Sequence, residues 1–315
     1  WLKRYYPAAF CAGLLNAQPM GFYSPHSLVQ DARRHGVDVH TPDLNASDWN
    51  ATLEPAPTVL ASQESASGLY GRQNVQDWQT WGIGGPAVRL GIGSVRGIGD
   101  DLAKQIAAGR PYESMEDLQR RVPKLDLAHL EAMATAGVFG SFDVTRREAL
   151  WGAGAVAQSG PDRLAGIVTG VDAPTLPGMS RREEAIADLW ATGVSPDGHP
   201  TRFVREHLDA LGAVPASGLA AVPTGDKVLV GGVVTHRQRP ATAQGTIFIN
   251  LEDETGLINV VCSKGCWVRH RRVARSCPAL LIRGRLEKHE GVINVVAERI
   301  EPLPLDGATK SRDFR

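Results

Sequence analysis

The sequence predicts a multidomain α+β chain, with helices first and a small closed β-barrel of five strands after them. Three observations predict it. Between Ala87 and Trp151 apolar residues recur at helical spacing, punctuated by glycine. From about Lys227 the period changes to two, and five alternating segments follow, with one helical segment between the third and the fourth. The length of 315 residues exceeds one small domain and leaves room for both parts.

Each element has its own warrant. Residues 1–86 read as a first helical region. Trp1 to about Leu15 carries Phe10, Leu14 and Leu15 on one helical face, and Ser27 can cap a second helix running through His35 to Gly36. Val37 to Val39 reads as a short strand. Between Ala46 and Gly85 the chain is rich in Ser, Gly and Gln, an irregular excursion that Trp49, Trp78 and Trp81 pin in part. Residues 87–151 form the glycine-punctuated helical domain. Residues 152–225 read as a Gly-, Ala- and Pro-rich linker followed by a small helical region, in which Ser180 and Glu183 have capping-box spacing. The barrel occupies 226–303. Its strands are expected at 228–234, 246–251, 257–262, 279–286 and 292–300, with a tight turn at Asp253-Glu254-Thr255-Gly256 and a basic helix at 267–274. Residues 304–315 form a tail.

Val95-Arg96-Gly97-Ile98-Gly99, continued by Asp100 to Ile106, has the helix-hairpin-helix pattern. Glycine at 97 and 99 permits backbone angles closed to other residues and lets a phosphate approach the main chain. Ile98 should bury between the helices, and the amides that follow point outward at a helix N-terminus, where the macrodipole also favours an anion. Arg96 and Lys104 could add charge, whereas Asp100 and Asp101 cap the helix and repel phosphate. A second glycine turn, Ala136-Gly137-Val138-Phe139-Gly140, follows a stripe of Leu118, Leu125, Leu127, Leu130 and Met133 and reads as core packing.

Lys plus Arg and Asp plus Glu both number 34, so net charge announces no polyanionic partner. The barrel segment differs: twelve basic residues face seven acidic ones between 227 and 302. Ligands of such barrels lie across strands two and three, between the 1–2 and 4–5 loops. Arg237 and Arg239 are expected in the first loop and His289 in the second. Phe248 is a candidate stacking platform, and Lys264 and Arg269 are candidate phosphate contacts. Gln244 to Phe248 superficially fits a sliding-clamp docking peptide, but its strand position commits those side chains to the barrel. Cys262, Cys266, His270 and Cys277 lie close together, yet their spacing suits buried thiols better than zinc. Four cysteines give no disulfide framework, which fits a reducing cytoplasm. No apolar run reaches the about 18 residues that a membrane helix needs. The first residue, Trp1, is not Met and the start does not read as a signal peptide, so the chain is expected to be a fragment.

Tyr6-Pro7-Ala8-Ala9-Phe10, Leu14-Leu15-Asn16-Ala17-Gln18-Pro19-Met20-Gly21-Phe22-Tyr23, Asp31-Ala32-Arg33-Arg34-His35-Gly36-Val37, Pro42-Asp43-Leu44-Asn45 and Val88-Arg89-Leu90-Gly91-Ile92 together resemble the end of the fingers region of bacterial C-family DNA polymerases. The order of helical fingers end, helix-hairpin-helix domain and OB-fold barrel agrees. No clamp peptide stands between Trp151 and Asp226, and the ending at Arg315 is similar to the error-prone accessory branch. That resemblance implies nucleotidyl transfer in damage-induced mutagenesis and translesion synthesis, Mg²⁺ held by palm carboxylates that would precede Trp1, and an accessory protein supplying clamp attachment. It implies no catalytic or metal-binding residue within this chain. Two other readings use the same parts: a stand-alone DNA-repair scaffold, and an aminoacyl-tRNA synthetase, whose anticodon-binding barrel Phe248 to Val261 also resembles.

Overall fold

The computed structural model describes residues 1–21, 23–55, 80–159, 170, 173–243, 245–305 and 312–314. Trp78, Phe22, Gln244, Ser311, Arg315 and residues 160–169 and 171–172 of the expected linker therefore lie outside the described residues. The chain forms two units, one of residues 1–20 with 31–196 and the other of 21–30 with 197–315.

Proline shapes the start of the first unit. Pro7 lacks an N–H and disfavours helical angles at Tyr6, which adopts φ −139°. The expected single helix therefore splits into α1 (Leu2–Tyr5) and α2 (Pro7–Asn16). The buried face of α2 is Pro7, Ala8, Cys11 and Ala12; Phe10, Leu14 and Leu15 are only half-buried. A three-stranded sheet follows: β1 (Val39–His40), β2 (Thr52–Glu54) and β3 (Ala87–Arg89). β3 is central, parallel to β1 and antiparallel to β2. Ala87 thus opens a strand rather than a helix, and the boundary expected at 86 falls inside this sheet.

Five helices complete the unit: α4 (Asp100–Ala108), α5 (Met115–Arg121), α6 (Leu127–Ala136), α7 (Arg146–Val156) and α8 (Arg181–Thr192). The starts of α5 to α8 are set by side-chain caps, worth about 1 kcal/mol each. Ser114 accepts from the Asp117 amide, while Asp126 with His129, Thr145 with Glu148, and Ser180 with Glu183 form reciprocal capping boxes. Ile92, Ile98, Ile106, Leu118, Leu130, Met133 and Phe139 lie in their common core.

Ser24, not Ser27, caps α3 (Pro25–Arg34), whose residues 25–30 count with the second unit; the Ser24 hydroxyl accepts from the Ser27 amide at 3.1 Å. Pro25 then takes the first helical position, where its missing N–H costs nothing. After α9 (Arg205–Ala210) come β4 (Lys227–Gln238), β5 (Ile247–Glu252), β6 (Leu257–Cys262), α10 (Lys264–Ser276), β7 (Ala279–His289) and β8 (Val292–Pro302). β4 pairs with β7 through Val233 and with β5 from Val233 onward, so one bent strand closes the barrel. Its bend has a cause: Gly231 and Gly232 bring the backbone against Leu208 and the Glu252 carbonyl, and the register shifts between Val234 and His236. The remaining pairings are β5 with β6 and β7 with β8, antiparallel, and β6 with β8, parallel. This is the expected five-stranded OB-fold barrel. A sixth strand, β9 (Arg312–Phe314), adds parallel to β4 where only a tail was expected.

Candidate nucleic-acid interface

The hairpin differs from its sequence pattern in two ways. A single 3₁₀ turn, Ile92–Ser94, stands where a first helix was expected. Only Gly97 needs to be glycine on conformational grounds, with φ +84°; Gly99 has φ −81° and ψ 166°, which any residue adopts. Nor does packing within the protein require glycine at 99: a Cβ there would meet nothing within 4 Å. Gly99 is also the N-cap of α4 and offers no side-chain acceptor, so the first-turn amides are not capped from that position. Asp100 and Asp101 are exposed first-turn residues and not caps, a correction to the expectation. Ile98, 6% exposed, anchors the turn in the core as expected; burying such a side chain stabilises by about 1.5–3 kcal/mol.

Contacts from distant elements hold this turn. The His129 Nε2 lies 3.2 Å from the Gly97 carbonyl oxygen, and its Nδ1 accepts from the Asp126 amide at 3.2 Å. The Arg96 amide donates to the Ala191 carbonyl at 2.7 Å. Both flanking cations rest on aromatic rings: the Arg96 guanidinium 4.9 Å from the Trp190 centroid and the Lys104 ammonium 4.4 Å from that of Trp49. Sequence reasoning missed His129, Trp49 and Trp190, because no local spacing links them to the hairpin.

The second glycine turn carries the same left-handed conformation, with Gly137 at φ +77°. Its space is taken: a Cβ at 137 would lie 2.9 Å from the Arg146 Nε, and Arg146 pairs with buried Asp188 at 2.7 Å. Leu118, Leu125, Leu130 and Met133 are buried, as the core reading requires, but Leu127 is exposed.

In the barrel, β4 extends to Gln238, so Arg237 lies within the strand and not in the 1–2 loop. It is 6% exposed, and its Nε and Nη2 donate to the carbonyls of Ala274 and Cys277 at 2.6 and 2.7 Å. Arg237 therefore holds the C-terminal end of α10 and is not available as a DNA contact. Arg239, beyond the strand, is exposed. Phe248 lies outward on β5, 37% exposed, because its neighbours Ile247 and Ile249 take the inward positions. Lys264 and Arg269 are exposed on α10. Of the clamp-like segment, Ile247 is buried in the barrel core.

The acidic turn is internal structure. Asp253, fully buried, accepts from the amides of Thr255, Gly256 and Ala216 at 2.8, 2.9 and 2.8 Å. Glu252, also buried, accepts from the Ser27 hydroxyl at 2.7 Å. Glu254 accepts from the Arg205 Nε at 2.5 Å and the Thr201 hydroxyl at 2.6 Å. Burial alone would raise the Glu254 carboxyl, but these hydrogen bonds outweigh it and hold it below its usual value. Cys262 and Cys266 pack in the core, and burial first, with the neighbouring Cys266 second, pushes the Cys262 thiol up to about 12. Among the described residues no three His, Cys, Asp or Glu side chains converge to hold a metal, and no helix is long and apolar enough to cross a membrane.

Comparison with known proteins agrees with this architecture. A helix-hairpin-helix motif family matches residues 36–149, and an OB-fold nucleic acid binding domain matches 228–303. The error-prone DNA polymerases of Mycolicibacterium paratuberculosis and Mycobacterium tuberculosis are each 53% identical over all of this chain. The chain belongs to the error-prone DNA polymerase family. It spans about a quarter of the length of these curated relatives, 26% in both cases. Among solved structures, the asparaginyl-tRNA synthetase of Pyrococcus horikoshii is 20% identical over 31% of this chain and 23% of its own, with a TM-score of 0.26. This chain thus pairs a hairpin whose α4 N-cap offers no side-chain acceptor with a barrel whose exposed cations include those of α10 and Arg239 beyond β4.

Proposed function

We propose that this chain is the DNA-handling part of an error-prone, DNA-directed DNA polymerase acting in damage-induced mutagenesis and translesion synthesis. The carrying observation is the hairpin: uncapped first-turn amides of α4, open space at Gly99, and Arg96 and Lys104 held on indole rings. Amides and dipole together take a phosphate without reading its base, which suits an enzyme that must hold any primer–template duplex. The barrel takes single-stranded template, with Phe248 stacking on a base and Arg239 meeting the backbone.

Nucleotidyl transfer itself belongs to the whole polymerase, with Mg²⁺ on palm carboxylates. The three consecutive acids of the barrel turn do not fit that ion. Glu252, Asp253 and Glu254 are all engaged by Ser27, Arg205, Thr201 and backbone amides. The whole enzyme is expected in the cytoplasm, with an accessory protein supplying clamp attachment.

Fluorescence anisotropy with a labelled duplex and a labelled oligo-dT tests the reading. Duplex binding should weaken steeply with salt, Gly97→Val should weaken the duplex alone, and Phe248→Ala with Arg239→Ala should weaken oligo-dT alone. Absence of binding to either ligand at low salt would sink it. Primer extension by the 315-residue chain supplied with dNTPs and Mg²⁺ would refute the separate assignment of catalysis to the rest of the polymerase.

A further inference from the structure

We infer that the outer face of α10 is a second duplex contact, one that grips sugar-phosphate backbone independently of the strand face of the barrel. This inference rests on the DNA reading above and adds a surface that the usual ligand path of such barrels does not include.

The observation is a one-sided stripe. At 100° per residue, Lys264, Val268, Arg271, Arg272 and Arg275 fall on one third of the helix circumference, and all five are exposed. The opposite side turns Cys266 and Ala274 into the barrel core. Arg269 lies just outside the stripe and is exposed too. The helix contains no acidic residue, and among the described residues none of its five cations makes an ion pair. Two other surface cations of the barrel do have acidic partners: Lys227 pairs with Glu298 at 3.2 Å and Arg299 with Glu301 at 2.7 Å. A solvated helix face ordinarily mixes both signs; this one does not.

Length and chemistry select the partner. Lys264 to Arg275 spans about 16 Å along the axis at about 1.5 Å per residue, which covers about five phosphates of one strand at about 3.4 Å each. The stripe has no exposed aromatic ring; its apolar member is Val268, 67% exposed. A single strand needs rings on which its bases stack. A duplex needs only cations at phosphate spacing. The buried Arg237 guanidinium fixes the C-terminal end of α10, so the stripe is held straight when the ligand arrives.

The test is charge reversal of Arg271, Arg272 and Arg275 to Glu in the 315-residue chain, with an Arg→Gln triple variant as a second, milder form. Anisotropy with a 20-base-pair duplex and with oligo-dT would be measured across salt. Circular dichroism confirms folding. The expected result is at least about tenfold weaker duplex binding and a log–log salt slope shallower by about 2–3, with oligo-dT affinity within about twofold. Unchanged duplex affinity and slope in both variants, while the parent chain binds duplex, overturns the inference and leaves the DNA reading standing. An equal loss on oligo-dT overturns the duplex assignment. Loss of binding to a Glu-rich peptide with duplex binding intact would give the face to an acidic protein segment instead. A parent chain that binds no DNA removes both readings.

Discussion

Arg96 and Arg237 look alike in the sequence, each next to glycine- or turn-rich segments and each a natural candidate for a phosphate contact. The structure treats them oppositely. Arg96 stands in solvent, its guanidinium laid on Trp190. Arg237 is buried and spends its donors on the two carbonyls at the end of α10. An arginine's role is decided by which groups the rest of the fold leaves unsatisfied beside it. At the hairpin these groups are amides, which an anion can satisfy; at the end of α10 they are carbonyls, which only a donor can.

The sharpest way to break this contrast is Arg237→Ala. Two charge-assisted bonds vanish and two carbonyls lose their donor, so urea denaturation should show a loss of about 3–5 kcal/mol. Arg237→Lys should restore only part of it, because an ammonium cannot span both acceptors as the planar fork does. DNA affinity of the folded fraction should not change; weaker binding with unaltered stability would return Arg237 to the interface. Next in size is Gly97→Val. The φ of +84° costs a β-branched residue about 1–2 kcal/mol, and duplex affinity should fall about tenfold.

Acid sharpens the same comparison. The depressed Glu254 carboxyl contributes stability that is present above its ordinary value of 4.5 and is lost as pH falls through the lower folded value. The barrel should therefore weaken on acidification by about 1–3 kcal/mol, and Glu254→Gln should flatten that acid limb in melts recorded against pH. The smallest effect concerns the hairpin acids. Changing Asp100 and Asp101 to Asn should raise duplex affinity by about two- to fivefold at low salt, a gain that disappears at high salt. A fall in affinity would mean that the carboxylates organise the turn rather than oppose the ligand.

The barrel was legible because period-two alternation and the Asp253–Gly256 turn are local signals, and strand order follows from five strands with one helix. Strand ends were less legible. β4 continues through Arg237 because β5 pairs with it as far as Gln238, a partner that no window of the β4 sequence reveals. The hairpin pattern likewise predicted the burial of Ile98 and the exposure of Arg96 and Lys104. It could not predict that Gly99 takes extended angles open to any residue, since that depends on how the chain approaches α4. The division of the first helix at Pro7 was written in the sequence, as was the cap at Ser24. The expectation passed over both by weighing periodicity above proline and cap chemistry.

Residues 21–30 count with the second unit although 166 positions of the first unit, or of segments outside the described residues, separate them from residue 197. The bond from Ser27 to Glu252 closes a loop of 225 positions. During synthesis, the earlier partner leaves the ribosome long before the later one exists. It must wait, with α3 and its apolar residues unsatisfied, until the barrel strands have been made. Folding of the second unit is thereby tied to completion of the chain, and its last step carries a high contact order. A polypeptide begun at residue 197 would hold every barrel strand yet leave Glu252 buried without its hydroxyl donor.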